Sequence, residues 1–132
     1  MIKTETGFDA NQLGVLGSRT YKAAGGVPAS PGEWDGLDDS LQDAWIGVGA
    51  KAITLLEHCE GLSFKEVAKK VFSWWAMLTG TDPEGFETLP KSEQIAWEAV
   101  GRHLAYCFET EDPAEMWHMD AFWEQWSKEK LG

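Results

Sequence analysis

Leu41, Trp45, Val48, Ala52, Leu55 and Cys59 recur in alternating steps of four and three, the spacing that lines one face of an amphipathic helix. This stripe predicts a helix over 38–60, closed by Gly61 at the position where a left-handed residue is favoured. Before it, Leu13, Leu16, Thr20 and Ala23 fall at helical spacing behind Asp9, an N-cap residue, and predict a helix over 10–24. Gly14 and Gly17 lie inside that segment, where each costs up to ~1 kcal/mol. Gly25-Gly26, Pro28 and Pro31-Gly32 then impose an irregular connection. Ser63-x-x-Glu66 is a capping box for a third helix over 64–79, with Phe64, Val67, Val71, Trp74 or Trp75, and Leu78 along its face. Gly80, Asp82-Pro83 and Gly85 form a second connection. Pro90 suits the first turn of a fourth helix, which runs to about 109 with Trp97, Val100, Leu104 and Cys107 inward. Asp112-Pro113-x-Glu115 is a further start signal and predicts a fifth helix over 113–129. β-Branched residues never alternate with polar ones over a useful length, so no strand is expected.

The second and fourth helices carry one motif. Trp34-x-x-Leu37-x-x-Ser40-x-Gln42-x-Ala44-Trp45-x-x-Val48-Gly49 recurs as Phe86-x-x-Leu89-x-x-Ser92-x-Gln94-x-Ala96-Trp97-x-x-Val100-Gly101. Eight positions match at a constant offset of 52 residues, seven by identity and the first as an aromatic, which reads as a tandem duplication. The expected architecture is an all-α, single-domain bundle: a loose arm over 1–8, repeat units over 9–60 and 61–109, and a C-terminal helix over 112–130. The motif residues are structural in type. The aromatic and the Leu three positions on resemble a hydrophobic staple, Ser and Gln can satisfy first-turn backbone groups, and the Ala-Trp pair lets a neighbouring helix approach beside a large ring.

This pattern, behind a segment with Tyr21 and Gly25-Gly26, resembles short helical modules of small proteins from tailed phages and prophages. The resemblance covers roughly residues 20–56 and the helical half of 72–108; the second copy lacks the Gly-Gly pair and an obvious Tyr. It implies a phage-related origin rather than an activity.

Length sets a single core, since 132 residues bury roughly two-thirds of the surface an unfolded chain exposes. Apolar residues make up 43% and include eight Trp, too much for a disordered chain. Charge narrows the partners. With 22 acidic against 11 basic residues the net charge is -11, and the basic cluster Lys65, Lys69, Lys70 is too small to release counterions along a nucleic acid. Direct binding to nucleic acid or to an anionic membrane is disfavoured, and a basic protein partner or an imitation of nucleic-acid charge, centred on Asp38, Asp39 and Asp43, is favoured. Two cysteines make no disulfide framework, no signal peptide opens the sequence, and no apolar run approaches the ~20 residues that span a bilayer. A cytoplasmic location is expected.

Candidate chemistry is sparse. His103 and Cys107 share one helical face and could begin a zinc site, with His58, Cys59 and His118 as remaining ligands, but no Cys-x-x-Cys pair supports a four-ligand set. No metal and no cofactor is expected. A nucleophile elbow and a glycine-rich phosphate cradle are both missing from the sequence, so enzyme activity is not expected.

The fifth helix offers more. Met116, Met119, Phe122, Trp123 and Trp126 are expected on one broad face, with Trp117 opposite beside Ala114 and Ala121. Aromatic and Met surface rimmed by Glu115, Asp120 and Glu124 has the composition of a docking site. The expected function is non-enzymatic binding to a protein partner, as a phage-encoded modulator or inhibitor of a host defence system such as a CRISPR effector, by docking or by charge mimicry. The alternative is a structural or assembly component of a phage particle, which would self-associate into a homo-oligomer.

Overall fold

The computed structural model describes residues 9–25, 34, 38–58, 64–80, 85–107 and 119–132, without the side chains of 55–58, 64 and 120. The expected arm over 1–8, the Gly61 terminator, the Ser63 cap and the Asp112-Pro113 start signal lie outside these residues. Within them the chain is all-α: α1 (Ala10–Ala23), α2 (Asp39–His58), α3 (Phe64–Thr79), α4 (Lys91–Tyr106) and α5 (Asp120–Leu131), with a short 3-10 turn at Gly85–Thr88 before α4.

Local chemistry accounts for the helix ends. Asp9 and Gln12 form a reciprocal capping box at the start of α1, with N···O distances of 2.9 and 3.0 Å, so two backbone donors that the helix leaves open are satisfied. Gly25, at φ +83°, closes the same helix in the left-handed region, where a Cβ would be strained. Helix α4 begins one residue later than its proline suggested. Pro90 is the N-cap, and its carbonyl accepts from Glu93 and Gln94 at 3.0 and 3.1 Å. Asp38 does the same for Leu41 and Gln42 at 2.9 and 3.0 Å.

Four helices close a ring in which α1 packs on α2 and α4, and α3 packs on α2 and α4; α5 lies against α1 and α4. At the centre the Trp45 and Trp97 rings stack across the α2–α4 diagonal, 5.5 Å apart and 24° from parallel. Tyr21 of α1 and Trp75 of α3 flank this stack from opposite helices. Tyr21 lies 6.0 and 4.6 Å from the two rings, and Trp75 lies 6.3 and 5.5 Å from them. The stacked pair is thus enclosed by one ring from each of the other two helices. Each central tryptophan, at 5% and 1% exposure, removes on the order of 200 Å² from water.

The motif glycines sit at helix crossings. A Cβ on Gly49 would come 2.5 Å from the Ala10 carbonyl oxygen, and one on Gly14 would come 2.9 Å from the Trp45 backbone. The propensity lost at Gly14 thus permits a backbone-to-backbone approach of α1 to α2. The corresponding Gly101 faces Ala68 and Val67 of α3, at 3.2 Å.

Two expectations are corrected here. Gln42 and Gln94 do not accept from first-turn donors, because their own N–H groups already close the first helical bonds. Their side-chain amides reach backwards instead, Gln42 donating to the Trp34 carbonyl at 2.7 Å and Gln94 to the Leu89 carbonyl at 2.9 Å. Each ties the incoming segment to its helix. The helix expected over 113–129 is not continuous either. Met119 stands outside α5 as its N-cap, and the helix runs to Leu131 with Lys128 and Lys130 in its last turn, where cations offset the carbonyl end.

Candidate binding surfaces

Helix α5 is fixed to the bundle by a buried cluster. Trp123, 1% exposed, packs on the imidazole of His103 with ring centres 5.3 Å apart, and His103 Nδ1 lies 2.6 Å from the hydroxyl of buried Thr20 on α1. Ser127 donates to the Ala24 carbonyl at the end of α1 at 2.5 Å. The inward face of α5 is therefore Trp123 and Ser127, with Met119 and Trp126 half-buried beside them. Phe122 was expected on that face and is not there: it is 51% exposed, because one helical position turns a side chain by about 100°. Its ring meets Trp123 edge-on at 4.9 Å.

An amphipathic surface follows. Trp126 is covered by two cations, Arg102 and Lys130, each 5.6 Å from its ring centre, and Arg102 is itself held by Glu98 at 3.3 Å. Around this cation-π arrangement, Phe122, Leu131 and, at the end of α4, Tyr106 are exposed.

The other expected site residues divide. Asp38, Asp39 and Asp43 are all exposed at the start of α2, where carboxylates also offset the helix dipole. Glu124 is exposed on α5 and pairs with Lys128 at 3.0 Å. Asp120 begins α5, its side chain undescribed, and Trp117, Glu115, Ala114 and Met116 lie outside the described residues. Among the described residues α5 packs chiefly on α1 and α4, and the aspartate cluster belongs to the start of α2.

His103 and Cys107 are turned into the core rather than toward a shared ligand. Cys107 Sγ lies 3.4 Å from the His103 carbonyl oxygen, and burial pushes its thiol up to about 12. Among the described residues no group of three or more His, Cys, Asp or Glu could hold a metal ion; His118 and Cys59 lie outside them, as does the side chain of His58. No helix among the described residues is long and apolar enough to cross a membrane.

A feature absent from the sequence reading is a groove of about 770 Å³ between the C-terminal ends of α1 and α5. Arg19, Lys22 and Lys128 line it together with Val15, Trp34 and Leu131. The pair Arg19 and Lys22, one turn apart on α1, was its only signal in the sequence. Lys128 arrives from the far end of the chain.

The fold is thus an all-α bundle of two helical pairs with a covering helix. Compared with known proteins, the chain matches no family model, no curated protein and no solved structure.

Proposed function

We propose that the protein is a non-enzymatic binding module that docks a protein partner through the outer surface of α5 and the segment leading into it. The observation that carries this reading is Phe122, a phenylalanine half exposed on a helix whose neighbouring tryptophan is buried. An aromatic held edge-on by a fixed indole loses little conformational entropy on binding, a property of interface anchors. Trp126 with its covering cations extends the same surface, and Trp117, expected upstream in the sequence, is a further aromatic candidate for the contact. The net charge of -11 favours a basic partner and would speed the encounter.

The phage-type motif suggests the setting: a phage-encoded modulator or inhibitor of a host defence system such as a CRISPR effector, acting in the host cytoplasm. A second mechanism is supported by exposed Asp38, Asp39 and Asp43, which could stand in for nucleic-acid phosphates on such a partner. The competing role is a structural or assembly component of a phage particle.

Affinity capture from host lysate with wild type and Phe122→Asp, alongside light scattering of the purified protein, separates these roles. The docking reading expects a stoichiometric partner retained by wild type and lost with Phe122→Asp. Rings or higher oligomers with no retained partner would instead favour the assembly role, and capture unaffected by Phe122→Asp would remove α5 from the interface.

A further inference from the structure

We propose that the groove between the C-terminal ends of α1 and α5 is a binding site for a small organic anion with an apolar body. The proposal stands independently of docking through the outer surface of α5.

Charge is the first argument. The chain has twice as many acidic as basic residues, yet among the described residues Arg19, Lys22 and Lys128 line this groove with one side-chain carboxylate, Glu124. That carboxylate is engaged by Lys128, and Lys22 makes no ion pair among the described residues. Cations concentrated in a cleft with low-dielectric walls focus a positive potential, whereas the acidic remainder of the surface repels anions.

Shape is the second. A volume of about 770 Å³ lies within the usual range of small-molecule pockets, roughly 300–1,000 Å³. Its apolar lining comes from Val15, Leu131 and the indole of Trp34, with Trp34 half-buried against the core. The ammonium groups of Lys22 and Lys128 can meet a carboxylate, sulfonate or phosphate as point charges, while the indole and aliphatic groups receive the body.

Each lysine also has an ordinary role, because Lys22 and Lys128 lie in the last turns of their helices, where cations offset the carbonyl end of the dipole. Dipole compensation does not require the two helix ends to enclose an open volume lined by a tryptophan. The combination of cations, indole and free space is what points to a ligand.

The probe pair naphthalene-2-sulfonate and 2-naphthylmethanol isolates the charge on a constant ring. Titration at low salt, followed by calorimetry and by backbone amide shifts, is expected to give sulfonate affinity at least about tenfold above that of the alcohol. Shifts should centre on Lys22, Gly25, Ser127 and Lys128. The double variant Lys22→Gln/Lys128→Gln, at two exposed positions and checked for an unchanged circular dichroism spectrum, should lose most of that preference. Lys91→Gln, exposed at the start of α4 and outside the groove, should keep it. Equal affinity for both probes, shifts on another surface, an undiminished preference in the double variant, or no binding at millimolar sulfonate would each overturn the proposal.

Discussion

In the first helical pair three glycines, Gly14, Gly17 and Gly49, stand where α1 meets α2 and its tryptophan, whereas in the second one glycine, Gly101, stands at the crossing and aromatic rings fill the space beside it. A Cβ on Gly17 would lie 3.3 Å from the Trp45 ring, so α1 lays its backbone beside that indole. On the other side Phe72 meets Trp97 edge-on at 5.5 Å and continues to Phe86 at 5.9 Å. Trp45 thus has backbone against one side in addition to its ring neighbours, and Trp97 is enclosed by rings. The first arrangement leaves little room for an added atom and the second concentrates its energy in side chains.

The largest expected effect is therefore at Trp97, which touches Tyr21, Trp45, Phe72 and Trp75. Trp97→Ala should cost about 5 kcal/mol and Trp45→Ala nearer 3, the span usual for large aromatic truncations, read from urea unfolding midpoints. Equal costs would mean that the two pairs pack their tryptophans alike, and would break the comparison.

Next come the crossing glycines. Gly49→Ala drives a methyl into the α1 backbone and should cost about 2–3 kcal/mol, while Gly101→Ala, whose methyl would lie 3.2 Å from the Ala68 backbone nitrogen and from Val67 and which gains helix propensity, should cost less, about 1 kcal/mol. The same denaturant titrations decide it, and a reversed order would contradict the distances at the two crossings.

The smallest effect exploits a chemical difference between the two rings that flank the stack, since Tyr21 ionises and Trp75 does not. Burial, helped by the charge of Glu93, pushes the Tyr21 phenol above its ordinary value of 10.0. Above that pH the unfolded chain gives up the proton while the folded one keeps it, so the unfolded state binds fewer protons and stability falls as pH rises, by at most ~1.4 kcal/mol per unit. Cys107 contributes in the same direction between its ordinary value of 9.0 and about 12. Tyr21→Phe should flatten the stability profile from about pH 10 upward, in thermal melts compared with wild type, and leave the Cys107 component. Parallel profiles for the two proteins would place the alkaline loss elsewhere.

The second, third and fourth helices were legible because their apolar stripes are long and their period is unambiguous. Glycine in α1 was legible only as a cost, since the backbone approach that requires it is a property of two helices together. The placing of Tyr21 and Trp75 around the central stack was hidden for a related reason, since it too is a property of helices packed together. On α5 the aromatic residues were legible but their directions were not. A broad face that takes in both Phe122 and Trp123 spans about 100°, and of the two Trp123 alone is drawn into the cluster with His103 and Thr20. The exposure of Asp38, Asp39 and Asp43 followed from the polar side of the α2 stripe. The groove was not legible, because Arg19 and Lys128 meet only once α5 has docked.

The comparison also bears on function, because among the described residues α5 packs on α1 and α4, whereas Asp38, Asp39 and Asp43 stand at the start of α2. Docking through α5 and charge mimicry through the start of α2 therefore use different residues, and can be separated by mutation. The most direct measurement is the partner's affinity for wild type, for Trp117→Ala and Phe122→Ala, and for an Asp38→Lys/Asp39→Lys/Asp43→Lys protein, at two salt concentrations. Apolar docking predicts that an aromatic truncation costs about 2 kcal/mol or more, while salt changes the association rate more than the residence time. Loss of binding confined to the charge-reversed protein, with a steep salt dependence of affinity, would contradict it.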